Sequence, residues 1–147
     1  MIPLCVHSTY SPLGGLLTPR EICEWAKANA LETIALTDTN GLYGMQFFLE
    51  AAKEYGISPI IGSEVIWNKR RVVCLCTSTY SYSKLCILLT KVHMEEMSQD
   101  TFLQYLNSFL EEGILFSEDK GILSSLPNEG NLFYEVCPGF FTQKDYY

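Results

Sequence analysis

Positive charge and histidine are scarce in this 147-residue sequence. Ten Lys plus Arg stand against seventeen Asp plus Glu, giving a net charge of −7 with two histidines taken as neutral. A face that grips nucleic-acid phosphates needs several cations along one surface. Only Lys69, Arg70 and Arg71 form a cluster, so direct nucleic-acid binding by this chain alone is not expected. No apolar run reaches the length of a membrane span, so no membrane partner is expected either. The N-terminus, Met1-Ile2-Pro3-Leu4, lacks the basic region and long apolar stretch of a secretory signal, which points to the cytoplasm. No G-x-G-x-x-G follows the first apolar run and no P-loop is present, which argues against those two phosphate cradles. C-x-x-C pairs are missing too, so nothing suggests a zinc ribbon. The six cysteines are Cys5, Cys23, Cys74, Cys76, Cys86 and Cys137. Cys74 and Cys76 lie two apart in an apolar run and would share one face of a strand. All six are read as reduced thiols rather than a disulfide framework.

What is present is a globular composition, with 48% hydrophobic and 18% charged residues. Short β-rich runs alternate with helical stretches. Leu4–His7 reads as a first strand, followed by a loop carrying Pro12, Gly14 and Gly15. Thr18-Pro19-Arg20-Glu21 is a strong helix start, with Thr18 and Glu21 forming a capping box and Pro19 in the first turn. Strands are predicted at 33–37, 57–66, 71–76, 114–116 and 131–136. Helices are predicted at 43–55, 81–92 and 99–110, with a short one capped by Ser117 and reaching Leu126. Such alternation predicts an α/β fold of parallel βαβ units.

In α/β folds, polar side chains at the C-terminal ends of strands build the site. Three apolar runs end in this way: at His7, at Asp38 and at Glu64. Brought together, a histidine and two carboxylates form a hard-to-borderline metal site. Singly, each has a plainer role. A strand-end histidine is commonly a hydrogen-bonded structural residue, an Asp before a helix is commonly a cap, and Glu64 could be solvated.

The flanking residues make the pattern specific. Cys5-Val6-His7-Ser8-Thr9-Tyr10-Ser11-Pro12-Leu13-Gly14-Gly15 resembles the opening motif of PHP domains, the polymerase-and-histidinol-phosphatase module of bacterial DNA polymerase III α subunits. Ala35-Leu36-Thr37-Asp38-Thr39-Asn40-Gly41-Leu42-Tyr43-Gly44 resembles a second motif of the same family, in a form similar to the error-prone α subunits. Ala51–Glu64 resembles a third. The close resemblance covers residues 4 to 65, with a looser one over residues 71 to 92.

The resemblance implies a (β/α)7 barrel with metals at the C-terminal mouth, of which this chain would be a part. It also implies metal-dependent phosphoester hydrolysis, such as a 3′–5′ exonuclease, or a scaffold where the metal site is lost. His7, Asp38 and Glu64 match ligand positions. Cys5 stands where the first family histidine is expected, Thr39 replaces the histidine after the motif Asp, and Arg71 aligns with a further histidine. A thiolate at Cys5 suits Zn²⁺ better than Mn²⁺. Arg71 would place a permanent charge beside Asp38 or Glu64 and substitute for a metal. At 4 Å and an effective dielectric of about 20, such a pair is worth about 4 kcal/mol before desolvation. The late D-x-H motif is absent, and His93 is read as a surface or packing residue.

A partial PHP domain over residues 1–141 with a tail at 142–147 is therefore expected. Its expected role is a structural, partner-binding module of a polymerase III α-like protein, serving replication or repair synthesis. Its partners would be the rest of a polymerase, a replication protein or a second copy, because an open barrel leaves edge strands unpaired. The alternatives are a phosphoesterase using His7, Asp38, Glu64 and Cys5 with Zn²⁺ or Mn²⁺, and an anion binder in which Arg71 grips a phosphate.

Overall fold

The computed structural model describes residues 1–94, 96–127 and 130–136. Helix α1 (Pro19–Ala28) begins where its capping box predicts. Thr18 accepts from the Glu21 amide, and the Glu21 carboxylate accepts from the Thr18 amide, at 2.8 Å. Strand β1 (Thr33–Leu36) follows, then α2 (Met45–Tyr55). Gly56 ends α2 in the left-handed region at φ 67°, which a residue without Cβ adopts at least cost. Strands β2 (Ser58–Trp67) and β3 (Arg70–Leu75) come next. Helices α3 (Thr79–Met94) and α4 (Gln99–Leu110) lead to β4 (Ile114–Ser117), α5 (Lys120–Ser125) and β5 (Leu132–Tyr134).

The sheet has the order β1-β2-β3-β4-β5. β1 pairs with β2 in parallel and β4 with β5 in parallel, but β2–β3 and β3–β4 are antiparallel. The expectation of a mostly parallel barrel is therefore corrected: the sheet is mixed and open, with no strand closing it among the described residues. The cause lies between Trp67 and Arg70. Only Asn68 and Lys69 connect β2 to β3, both in the left-handed region at φ 48° and 63°. That is the geometry of a two-residue hairpin, and so short a loop cannot make a parallel crossover.

The first predicted strand is also corrected. Residues 3–6 run beside β1 without forming a regular ladder. The Ala35 and Thr37 amides donate to the carbonyls of Pro3 and Val6, so three residues on one side span two on the other. The Val6 amide is taken instead by Thr37 Oγ1, at 2.9 Å. The short helix is capped by Asp119 rather than Ser117, with Asp119 Oδ1 accepting from the Gly121 amide at 2.8 Å. Ser117 is buried and turns inward, donating to the Arg71 carbonyl, 2.5 Å away. The tail at 142–147 lies outside the described residues, as does Cys137.

Side-chain alternation splits the sheet into two faces. Val65, Val72, Cys74 and Leu115 face α3, α4 and α5, where they meet Leu85, Leu88, Phe102, Leu106, Phe109 and Ile122 in the main core. Ile34, Leu36 and Ile57 pack with Ile22, Ala26 and Phe48 of α1 and α2. The opposite face of the sheet carries Ala35, Val73, Leu75 and Phe116, against which Cys5, Ile60 and Ile114 pack. Glu64 lies opposite Val73 and Arg71 opposite Ile66, so Glu64 and Arg71 project from this same inner face. No described helix is long and apolar enough to cross a membrane.

Candidate functional site

At one end of the inner face, charged side chains converge from segments far apart in sequence. Glu64 is 7% exposed at the middle of the group. Its Oε2 accepts from Thr39 Oγ1 at 2.9 Å and lies 3.2 Å from His7 Nε2. The imidazole nitrogen is within ion-pairing range of that carboxylate, and among the described residues it has no directed hydrogen-bond partner. Arg71 donates through Nε to Glu64 Oε1 and through a terminal nitrogen to Glu135 Oε2. Its other terminal nitrogen lies 3.2 Å from Cys5 Sγ. One guanidinium thus ties the N-terminal segment, β2 and the end of β5 together.

The electrostatics follow from this packing. Burial pushes the Glu64 carboxyl up, but His7 and the Arg71 guanidinium outweigh it, aided by Thr39, and hold it down at about 2. Burial raises the Cys5 thiol and Arg71 opposes this only in part, so Cys5 is held as a thiol. Burial works against the charge on Arg71, but its bonds to Glu135 and Glu64 outweigh that and fix it as a cation. Two carboxylates and one guanidinium leave the group with net negative charge when His7 is neutral.

Asp38 belongs to a different arrangement. It is 1% exposed at the end of β1. Oδ1 accepts from the Ser8 amide and from Ser11 Oγ, both at 2.7 Å, and Oδ2 accepts from Ser8 Oγ at 2.8 Å. Ser11 Oγ in turn accepts from the Thr39 amide at 2.9 Å. The carboxylate therefore organises the loop after residue 7. Two glycines allow this closure. A Cβ on Gly15 would sit 1.9 Å from the Ser8 carbonyl oxygen, and one on Gly44 would sit 2.8 Å from Asp38 Oδ2.

Of the sequence-predicted site residues, Cys5, His7 and Glu64 offer ligand atoms within 4.8 Å of one another. Asp38 points to Ser8 and Ser11, and Arg71 engages Glu64 rather than Asp38. His93 reaches the Asn40 carbonyl, 2.6 Å from its Nε2. Sequence reasoning missed Glu135 and the hydroxyl of Thr39. Glu135 follows β5 two residues after Phe133, so the strand-end rule that selected Glu64 also selects it.

The Cys5, His7 and Glu64 donors, taken alone, suit a borderline ion such as Zn²⁺. They do not fit a multi-metal centre in this arrangement. Arg71 already occupies Glu64 Oε1 and lies against Cys5 Sγ, and a protonated thiol is a poor ligand.

Comparison with known proteins agrees with this architecture. The PHP domain family model matches residues 3–132. The error-prone DNA polymerase of Nocardia farcinica is 50% identical over 62 residues, which is 42% of this chain and 5% of that protein. The DNA polymerase III subunit alpha of Buchnera aphidicola (from Acyrthosiphon pisum) is 35% identical over 101 residues, covering 64% of this chain and 9% of that one. The chain thus spans less than a tenth of either polymerase. Among solved structures, an amidohydrolase from Chromobacterium violaceum, solved with bound sulfate and no metal, superposes with a TM-score of 0.51. It is 32% identical, covering 61% of this chain and 32% of its own. A protein from Bifidobacterium adolescentis, described as a metal-dependent phosphoesterase, superposes with a TM-score of 0.54 at 13% identity, which speaks to the fold alone. That match covers 79% of this chain and 65% of the other.

Proposed function

Because this chain belongs to the PHP domain family, we propose that it is an N-terminal module of a DNA polymerase III α-like protein in which Arg71 has taken the place of the metals. In this reading the module serves replication or repair synthesis in the cytoplasm as a scaffold, and its partner is the rest of a polymerase or another replication protein. The observation that carries the reading is the bridge from Arg71 to Glu64 and Glu135. A bound divalent cation neutralises clustered carboxylates and links strand ends. A guanidinium does both, without generating a hydroxide or polarising a phosphate ester.

The same geometry bears on the phosphate-gripping alternative. Two carboxylates already accept from Arg71, so an incoming phosphate would meet Glu64 and Glu135 as like charges. The phosphoesterase alternative is favoured by one observation, the convergence of Cys5, His7 and Glu64.

The deciding experiment is elemental mass spectrometry of the purified chain, with His7→Ala and Asp38→Ala beside it. The expected result is no stoichiometric Zn²⁺ or Mn²⁺ in the folded chain. Stoichiometric metal that is lost in His7→Ala would overturn the scaffold reading and support the phosphoesterase.

A further inference from the structure

The two outer edges of the sheet differ. Residues 3–6 lie along the β1 edge, where the carbonyls of Pro3 and Val6 accept from the Ala35 and Thr37 amides. Beyond β5 no strand follows among the described residues. The Asn131 carbonyl and the Glu135 amide bond inward to β4, at Leu115 and Ser117. Main-chain groups alternate in direction along a strand, so those of Leu132 and Tyr134 point away from the sheet. They have no hydrogen-bond partner among the described residues. Proteins blunt such edges with Lys, Pro or a covering segment. Residues 131–136, Asn-Leu-Phe-Tyr-Glu-Val, contain no Lys or Pro, and their single charge, Glu135, is held by Arg71.

This edge borders a cavity of about 890 Å³ on the inner face, in the size range of sites that are filled. Its walls are largely apolar, with Leu4, Ile60, Leu75, Ile114, Phe133 and Val136 among them. Phe133, paired with Phe116 and so on the inner face, is 52% exposed. A concave apolar surface of this size is uncommon on a protein unless something covers it.

We infer that the β5 edge and the cavity form one docking site for an extended segment of another polypeptide, with apolar side chains at alternate positions and basic residues on either side. The main chain calls for a strand. The outward groups of Leu132 and Tyr134 are matched by the backbone of an added strand, which a helix face does not offer. The cavity calls for alternation, because every second side chain of that strand enters it. The charge calls for a basic partner. The whole chain carries −7, and Glu118 is exposed one residue beyond the Ser117–Tyr134 pair. The neighbouring cations are engaged: Arg71 by Glu64 and Glu135, Arg70 near Asp119, and Lys120 over the Tyr134 ring. The same −7 opposes a second copy of this chain as the occupant. The inference goes beyond the scaffold reading and does not rest on it, since none of its observations depends on what Cys5, His7 and Glu64 bind.

The test is amide hydrogen exchange, read by nuclear magnetic resonance on the full 147-residue chain. The probe is the synthetic peptide Lys-Lys-Leu-Thr-Phe-Thr-Leu-Lys-Lys, blocked at both ends. In the free chain the Leu132 and Tyr134 amides should exchange fast and the Glu135 amide slowly. Saturating peptide should slow Leu132 and Tyr134 by about tenfold or more. A peptide of the same composition with its apolar residues contiguous, and one with Glu in place of Lys, should each bind several-fold more weakly. Failure of the probe to protect either amide would overturn the inference. So would slow exchange of Leu132 and Tyr134 in the free chain, which would assign the edge to a second copy if light scattering gives a dimer and to the chain itself if it gives a monomer. Neither result bears on the metal content that decides the scaffold reading.

Discussion

Glu64 and Asp38 are both buried carboxylates near strand ends, and both stand in stretches that resemble motifs of the same family, yet their surroundings assign them different work. Glu64 sits among charges, with Arg71 on one oxygen and His7 beside the other. Asp38 sits among neutral donors, the amide of Ser8 and the hydroxyls of Ser8 and Ser11. The first arrangement links distant segments through a single cation. The second shapes one local loop. A shared motif therefore fixes where an acid stands, while the neighbours decide whether it acts as a counter-ion or as a loop organiser.

The largest effect that can break the comparison is removal of the cation. Arg71→Met would leave Glu64 and Glu135 partly buried without a counter-charge. Loss of one partner of a buried pair costs about 3–5 kcal/mol. Arg71 retains 23% side-chain exposure, so the lower end, about 3 kcal/mol, is expected in a urea unfolding midpoint at unchanged m. Adding Glu64→Gln and Glu135→Gln to Arg71→Met should recover much of the loss. A cost below about 1 kcal/mol, in the range of surface ion pairs, would show that water already screens the cluster. Next in size is Asp38→Ala, which strips the acceptor from the Ser8 amide and from two hydroxyls. An unsatisfied buried polar group costs about 1–3 kcal/mol, and that loss is expected by the same measurement. Asp38→Asn keeps one acceptor oxygen and should cost less.

Much of the local structure was legible because its causes are local. The capping box of Thr18 and Glu21, the Ser98 cap of α4 and the Gly56 stop of α2 depend on residues within one turn of each other. The resemblance and the strand-end rule pointed to His7, Asp38 and Glu64 with Cys5 as one group; Cys5, His7 and Glu64 do converge, whereas Asp38 turns to Ser8 and Ser11. Three features were not legible. The antiparallel turn at Asn68-Lys69 carries no glycine, so its left-handed backbone had only Asn68 as a signal. The Arg71–Glu135 bridge joins residues separated by 64 positions, which no periodicity reports. Ser8 and Ser11 hold Asp38 because Gly15 lets the loop close tightly, a steric fact visible only in three dimensions.

Acid titration sharpens the comparison from the side of Glu64. Its carboxyl is held at about 2, below the ordinary 4.5, so the folded state favours the charged form. The stability this supplies is fully present above about pH 4.5 and is lost as the pH falls toward 2. One such group gives a slope of at most about 1.4 kcal/mol per pH unit. In Glu64→Gln that part of the slope should vanish from a urea midpoint series between pH 5 and 2. An unchanged slope would assign the acid sensitivity to other carboxylates.

The smallest expected effect asks whether the two clusters are separate at all. Thr39 stands between them, with its hydroxyl on Glu64 and its amide on Ser11, which bonds Asp38. Thr39→Val keeps the shape and the amide and removes only the hydroxyl bond, a loss of about 1 kcal/mol. In a double-mutant cycle with Glu64→Ala the two changes should couple by about 0.5 kcal/mol or more, because both remove the Thr39–Glu64 bond. With Asp38→Ala they should add to within about 0.5 kcal/mol, because the amide link to Ser11 survives in Thr39→Val. Clear coupling of Thr39→Val to Asp38→Ala would mean that loop and ion cluster form one network, and the distinction between the two acids would then be one of degree.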